Sequence, residues 1–406
     1  MQSLLDSLIE QGTFGTLPRE IVYALGMLFF AVVVLAGFVM PFAGIVTWVE
    51  RRVAGRIQSR IGPNRPGPFG FFVWLADGIK NLLKEDIIPK NADAPLFRFA
   101  PYLVFAAIFA TFVALPFGSS LVIANLNVGI LFVTAVTGFV VVGVLIAGWS
   151  SNNKWSLLGG IRSAAQIVSY EIPAGLAIFP IVMLAGTLSM QGITAGQGWQ
   201  PWTWYVFHSP FTFVAMFIFF VSALAEGNRT PFDLPEAESE LVSGFSTEYS
   251  GMRWLLFYIA EYANLYVIGV VVSTLYLGGW QVPAFLHGNP VIRAIAELAT
   301  IQVKALFWVF VMLWLRWTLP RIRVDQMMTM CWKYLVPISV VNLLGVAVWM
   351  ALWPEDTFIA RGLMFVLGVA LLATFAWRVR YHLRRARMHL GFSPVLPEQG
   401  LIYGRR

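Results

Sequence analysis

Residues 128–149 read VGILFVTAVTGFVVVGVLIAGW, a run without a single charged side chain. A helix that crosses a bilayer needs about 20 mainly apolar residues, so this run predicts a membrane-spanning helix. Eight other runs have the same character. The nine predicted spans are approximately 21–47, 99–118, 128–149, 167–189, 210–226, 253–278, 299–318, 334–353 and 358–378.

The composition of the whole chain agrees with a membrane protein. Of its 406 residues, 58% are hydrophobic and 12% are charged, whereas a soluble domain carries about 25% charged residues. A soluble enzyme, a nucleic-acid-binding protein and a disordered chain are therefore poor fits, and we expect no nucleic acid partner. The fold class that remains is an all-α, polytopic membrane helix bundle, which we predict as one membrane domain over 1–406.

Basic residues fall almost entirely on one side of this predicted bundle. The exceptions among the 28 Lys and Arg residues are Arg19, Arg293, Lys304 and Arg361. Loops that are rich in Lys and Arg stay in the cytoplasm. The predicted topology therefore has the N-terminus outside and the C-terminus, with its basic tail 379–406, in the cytoplasm.

Two cytoplasmic segments have unusual sequences. The segment 48–98 is rich in arginine and contains GPNRPGPFG (62–70), which breaks a helix, followed by apolar residues at helical spacing that predict an amphipathic helix at the membrane interface. That helix is either a plain anchor or one wall of an apolar slot that a lipid-like ligand enters. The acidic loop 226–252 is either solvated or, because apolar residues alternate with its charges, folded onto the bundle.

Two carboxylates and a lysine stand out inside predicted spans: Glu171, Glu261 and Lys304. A charge at the bilayer centre costs about 2.5–3.5 kcal/mol on insertion scales. Each residue is therefore either a structural ion pair or snorkelling side chain, or part of a proton relay. Cys331 is the only cysteine, so the sequence predicts no thiolate metal site, and we expect no metal or flavin on this chain.

Four stretches of the sequence carry a family resemblance. They are 50–89 with GRIQSRIGPNRPGPFG, 149–172 with WSSNNKWSLLGGIRSAAQIVSYEI, 225–264 with AEGNRTPFDLPEAESELVSGFSTEYSGM and AEYAN, and 304–333 with LRWTLPRIRVDQ. In these motifs the chain resembles the family of H-type membrane subunits of respiratory complex I, the proton-pumping NADH:quinone oxidoreductase. The ninth apolar run and the tail 379–406 depart from many relatives, and no family role is carried onto them.

The resemblance implies a function and a set of site residues. A member would be a subunit of a multi-subunit enzyme without a redox centre of its own, bound to peripheral quinone-site and iron–sulfur subunits, to antiporter-like membrane subunits and to the lipid bilayer. Its substrate would be a quinone, either ubiquinone or menaquinone. The residues implied for the quinone tunnel are Arg51, Arg60, Asp77, Arg229, Tyr258, Arg316 and Arg321. Those of the proton relay are Glu171, Glu226, Asp233, Glu236, Glu238, Glu240, Glu248 and Glu261, to which Lys304 is added.

Two other functions remain open at this point. The intramembrane charges also suit an autonomous ion-coupled secondary transporter, although no pair of repeated halves is visible. A membrane anchor of an energy-converting hydrogenase would share the scaffold. The length and basic tail favour a bacterial inner membrane over an organelle.

Overall fold

The computed structural model describes residues 32–235 and 238–352, together with isolated helical positions between 21 and 29 and between 362 and 381. Every regular element in these ranges is a helix, which confirms the all-α prediction. Seven of the described helices are long and apolar enough to cross a membrane, and another apolar helix, Pro210–Glu226, is shorter. The predicted ninth span, 358–378, lies outside the continuous ranges, so the total of nine stays a prediction.

The helices that build the site are numbered here in chain order. They are α1 (Val32–Ile57), α2 (Val73–Leu83), α3 (Ala94–Thr111), α4 (Gly129–Ser150), α5 (Lys154–Ala185), α6 (Pro210–Glu226), α7 (Gly251–Tyr276), α8 (Pro290–Thr318) and α9 (Val324–Leu352). Short π-helical stretches interrupt α1 at Leu35–Val39 and α9 at Met330–Leu335. The chain divides into two compact units, Met1–Pro354 and Glu355–Arg406, and all nine helices lie in the first. A single membrane domain over 1–406 remains a prediction.

Helix α5 begins much earlier than the predicted span 167–189. The side chain of Asn153 caps it by accepting a hydrogen bond from a backbone N–H of the first turn, at 2.9 Å. The first turns of α5 carry polar side chains that are nevertheless buried, including Ser156 and Gln166. These residues lower the hydropathy of the segment, so its sequence looks like a loop although it is a helix packed against protein.

Helix α7 lies at the centre of the bundle. It packs against α1, α3, α6 and α8, and 78% of its most apolar window is buried, a larger share than in any other described span. Its contact with α8 is close: a Cβ added to Gly269 would stand 2.8 Å from the carbonyl oxygen of Ala305. Polar side chains on α7 therefore face other helices rather than lipid.

Candidate functional site: three adjoining cavities and a buried ion cluster

A slot of about 630 Å³ lies between α1, α2, α7 and the loop segment 243–250 that precedes α7. The loop 62–70 reverses the chain so that α2 lies against α1. Gly44 of α1 leaves room for the ring of Trp74 of α2, because a Cβ added to Gly44 would stand 2.5 Å from that ring. The wall from α7 includes Trp254, Leu255 and Tyr258. The amphipathic helix thus forms one side of an apolar slot, which was one of the two alternatives that the sequence left open.

An ion pair stands at the edge of this slot. Arg51 of α1 and Asp77 of α2 approach to 2.6 Å, and both side chains are partly exposed. Both residues also line the slot. Arg60, by contrast, lies on the exposed loop, where its Nε donates a hydrogen bond to Gln58 Oε1 at 2.6 Å. The structure therefore brings Arg51 and Asp77 to the slot and leaves Arg60 outside it.

A second, inner cavity of about 250 Å³ adjoins the slot. Glu261 and Asn264 of α7, Glu226 at the end of α6, and Arg316 of α8 all line it. Tyr258 lines both the slot and the inner cavity. Ser243, Ser246 and Trp254 line both spaces as well, so aromatic rings and hydroxyl groups form the boundary between the slot and the inner cavity.

A third, lateral cavity of about 190 Å³ lies among α4, α5, α6 and α7. Glu171 lines it, and Glu226 and Asn264 line both this cavity and the inner one. Glu226 is hydrogen-bonded to the Thr137 side chain and interacts electrostatically with Glu171. Three carboxylates that are distant in the sequence are thereby brought to two adjoining cavities.

A buried ion cluster lies beside the inner cavity. Arg229 approaches Glu261 to 2.7 Å and Glu50 to 3.6 Å, and Arg316 pairs with Glu50 at 2.6 Å. The Tyr262 hydroxyl also donates a hydrogen bond to Glu50. Burial by itself would lower the pKa of Arg229, but the carboxylate of Glu261 opposes that effect, with help from Glu50, and raises the pKa well above its ordinary value. Arg229 therefore stays charged although it is 2% exposed.

Glu50 is a member of this cluster that could not be singled out from the motifs alone. It directly precedes Arg51 and Arg52, so it reads as part of a charged helix end. The spacing of its neighbours nevertheless indicates that Glu50 is buried. It falls at helical spacing with three apolar residues, and the structure buries all four: Ala43, Val46, Glu50 and Ala54. An acid that falls on the apolar stripe of a span is a better candidate than one on its polar side.

The acidic loop 226–252 is folded onto the bundle and is not a solvated loop. Gln166 of α5 donates hydrogen bonds to the carbonyl oxygens of Ala225 and Phe232, each at 2.7 Å. Val242 is an exception among the interleaved apolar residues, since it is 60% exposed. The buried ones are Phe232, Leu234, Leu241 and Phe245.

Three other acidic residues of the loop form polar pairs away from the inner and lateral cavities. The pairs are Asp233–Arg321 (2.9 Å), Glu240–Arg162 (2.7 Å) and Glu248–Asn153 (2.6 Å). Glu236 lies outside the described residues, and so does the side chain of Glu238. The structure thus assembles only part of the predicted acidic set around the cavities.

Lys304 occupies a different environment from the cavity carboxylates. Its Nζ donates hydrogen bonds to the carbonyl oxygens of Leu277 and Gly279, at 2.7 and 2.8 Å. It also lies over the ring of Trp204, 4.8 Å from the centroid. These carbonyls belong to the turn that follows α7, so Lys304 ties that turn to α8. The structure does not bring Lys304 together with the predicted relay.

Metal-binding side chains are not clustered in the described part of the chain. No group of three or more His, Cys, Asp or Glu residues there could hold a metal ion. Cys331 is buried, and its thiol donates to the carbonyl oxygen of Ser169 at 3.1 Å. This cysteine therefore contributes to the contact between α9 and α5.

Comparisons with known proteins match most of the chain. The profile of the family described as NADH dehydrogenase matches residues 29–347. The H subunit of NADH-quinone oxidoreductase from Anaeromyxobacter dehalogenans is 52% identical over 374 residues, which cover 87% of this chain and 90% of the relative. The H subunits from Dehalococcoides mccartyi (strain CBDB1) and Chlorobaculum parvum are 45% and 44% identical, and the matches cover 85% and 80% of this chain and 93% of each relative.

These matches run through the slot, both further cavities and the ion cluster, and they favour the quinone-linked family over a transporter or a hydrogenase anchor. They agree with a membrane helix bundle in which seven described helices could cross a bilayer. The chain belongs to the H-type subunit family of NADH-quinone oxidoreductase, respiratory complex I, and is a membrane subunit of that multi-subunit enzyme.

Proposed function

We propose that this chain forms the membrane part of a quinone-access tunnel and couples quinone reduction to proton translocation. The observation that carries the proposal is the order of the three cavities. The slot meets the inner cavity at Trp254, Tyr258 and two serines of the acidic loop, and the inner cavity meets the lateral cavity at Glu226 and Asn264. A change of charge beside the slot can therefore act on Glu171 through groups that are in contact or share a cavity.

The slot suits the isoprenoid tail of a quinone. Its walls are mainly apolar side chains of α1, α2 and α7, and its volume of about 630 Å³ accepts a long lipid-like chain. The pair Arg51–Asp77 supplies polar contacts at its edge, and Tyr258 supplies a hydroxyl at its inner end. The substrate is either ubiquinone or menaquinone, since neither the volume nor these contacts distinguish them.

The ion cluster provides the coupling. A reduced quinone takes up protons, which changes the charge next to Tyr258 and the cluster formed by Arg229, Glu261 and Glu50. At the low dielectric of a buried site, such a change is felt over several residues. We propose that Glu261 and Glu226 respond by changing their protonation and pass a proton towards Glu171.

The proposed setting is a bacterial inner membrane, with the N-terminus outside and the basic tail in the cytoplasm. The folded acidic loop and the pairs of Arg162 and Arg321 lie on the predicted cytoplasmic side, where the peripheral quinone-site and iron–sulfur subunits would bind. The lateral cavity, which Glu171 lines, would face the antiporter-like membrane subunits.

The relay is tested by Glu261→Gln in the assembled complex in closed vesicles. The amide keeps the size of the side chain but cannot exchange a proton, so we expect quinone-dependent NADH oxidation and proton pumping to fall together. Glu85→Gln is the matched control, because Glu85 is an exposed acid on a cytoplasmic segment and lines none of the three cavities. If Glu261→Gln retains wild-type turnover and pumping, the relay is wrong.

The tunnel is tested by filling the slot. Gly78 lines the slot, and a Cβ added to it meets no atom within 4 Å, so Gly78→Phe should project into the space without moving the backbone. We expect a higher KM and slower turnover with long-tailed quinones. Gly37→Phe is the control, since Gly37 of α1 also has open space around it but lies outside the slot. Equal kinetics for the two variants would exclude this tunnel.

A further inference from the structure

Asn264 of α7 is a buried amide at the junction of two cavities. It is 8% exposed, and it lines both the inner and the lateral cavity. Within the part of the chain that the structure describes, no protein group forms a hydrogen bond with its side chain, and its polar atoms keep some accessible surface. The remaining polar surface of this amide is therefore directed into the cavities.

A buried amide without a partner is costly. Removing an amide from water without a compensating hydrogen bond costs about 1–3 kcal/mol in proteins, and buried polar groups are almost always bonded to protein or to ordered water. The two cavities measure about 250 and 190 Å³, whereas one water molecule occupies about 30 Å³ in the liquid. Water is thus the partner that fits the Asn264 amide.

The position of this amide relative to the carboxylates is specific. Glu261 lies three residues earlier on the same helix and hence on the same side of α7. Glu226 borders both cavities, and Glu171 lines only the lateral one. Asn264 therefore stands between the carboxylate beside the ion cluster and the carboxylate at the far end.

We propose that Asn264 is a positioning residue that holds the water molecules through which a proton passes between the Glu261 side and the Glu171 side. An asparagine side chain has two N–H donors and one carbonyl acceptor, so it orients water on both sides without taking up a proton. Each water accepts a proton from one neighbour and donates another to the next. This inference rests on the proposed proton relay and assigns it a residue that carries no charge.

The test compares two variants of the same shape. Asn264→Val removes the polar group, while Asn264→Thr has nearly the same volume and retains a hydroxyl that binds water. We measure the assembled complex in closed vesicles. We expect Asn264→Val to lower proton pumping and quinone-dependent NADH oxidation about tenfold, because a rate change of that size corresponds to the loss of one buried hydrogen bond. We expect Asn264→Thr to stay within about twofold of wild type. The kinetic solvent isotope effect should increase in Asn264→Val.

Asn342 of α9 supplies the matched control. It is also a buried asparagine, at 4% exposure, and its Nδ2 has no hydrogen-bond partner, but it lines none of the three cavities. The Asn342→Val and Asn342→Thr pair should therefore show no difference in turnover or isotope effect.

The possible outcomes separate this inference from the relay itself. If Asn264→Val and Asn264→Thr behave alike while Glu261→Gln stops pumping, the relay stands and the role of Asn264 is wrong. If all three variants pump like wild type, the relay is wrong as well. If Asn264→Val does not assemble, the larger apolar variant Asn264→Leu takes its place. A wild-type rate and isotope effect in assembled Asn264→Leu would overturn the inference. If neither apolar variant assembles, Asn264 is needed for folding and the inference is wrong.

Discussion

The two ends of the α7–α8 pair use polar residues in opposite ways. Near the end of α7, Lys304 from the middle of α8 donates hydrogen bonds to the carbonyl oxygens of Leu277 and Gly279. About two turns earlier on α8, Glu297 accepts hydrogen bonds from Arg293 and from the backbone and hydroxyl of Ser119. At the opposite end, Glu261 and Arg316 have ion-pair partners but also line the inner cavity. At the closed end, with Lys304 and Glu297, the charged groups are hydrogen-bonded to protein and line none of the three cavities. At the open end, with Glu261 and Arg316, the charged groups also border a cavity that water can fill.

This difference shows that a charge inside a span does not by itself indicate a relay. Lys304 and Glu261 are alike in the sequence, since each interrupts an apolar run. Lys304 ends on main-chain acceptors that do not titrate, whereas Glu261 adjoins a cavity shared with Glu226. Access to a cavity, rather than depth in the membrane, separates the proposed functional charge from the structural one.

The strongest way to break the open end is Arg229→Leu. The substitution removes the guanidinium that Glu261 pairs with and leaves the buried Glu50 with Arg316 as its remaining cation. Breaking a buried pair from one side costs about 3–5 kcal/mol. We expect little assembled complex and a lower Tm. Arg229→Lys keeps a positive charge and should recover part of the assembly, and an unchanged yield of Arg229→Leu would show that the cluster is not needed for folding.

The closed end is tested by Lys304→Met, which keeps the apolar stem and removes the donor. Two carbonyl oxygens at the end of α7 lose a charged partner, so we expect a stability loss of about 1.5–3 kcal/mol. The number of protons pumped per electron pair should stay at the wild-type value in complex that assembles. A normal Tm with defective pumping would place Lys304 in the relay and would contradict the proposed difference between the two ends.

The attachment of the acidic loop to α5 is tested by Gly159→Ala. A Cβ on Gly159 would stand 2.7 Å from the Cα of Gly244, so the loop must move, at a cost of about 1–3 kcal/mol. We expect a lower Tm and faster proteolysis within 226–252. Gly37→Ala adds the same methyl where no atom lies within 4 Å and should cause neither effect.

The smallest effect is expected for Arg162→Ala. Its partner Glu240 is more than half exposed, and exposed ion pairs contribute about 0.2–1 kcal/mol. We expect a Tm close to wild type and unchanged pumping when the complex is isolated. A large loss of assembly would indicate that Arg162 binds a neighbouring protein of the complex through this surface.

Many features of the molecule could be predicted from the sequence, and others could not. The helical fold and the amphipathic helix follow from apolar runs and apolar periodicity, and α6 has the predicted bounds 210–226. For the acidic loop, the apolar residues between its charges left a folded segment as one of two alternatives. The start of α5 at Lys154 was missed because its buried polar residues, such as Gln166, contact protein rather than lipid. Glu50 was missed because its partners Arg229 and Arg316 are remote along the chain.

The sequence by itself determined that this chain lies in a membrane, which of its loops are basic and which family its motifs match. These are properties of local composition and order, because bilayer insertion and motif identity depend on residues close together in the chain. Only the tertiary structure decided which charges meet. Arg229 reaches Glu50 and Glu261, and Glu226 adjoins Glu171, because helices separated by many residues pack side by side around α7. Burial and proximity, which turn a charge into a candidate for coupling, arise from that packing.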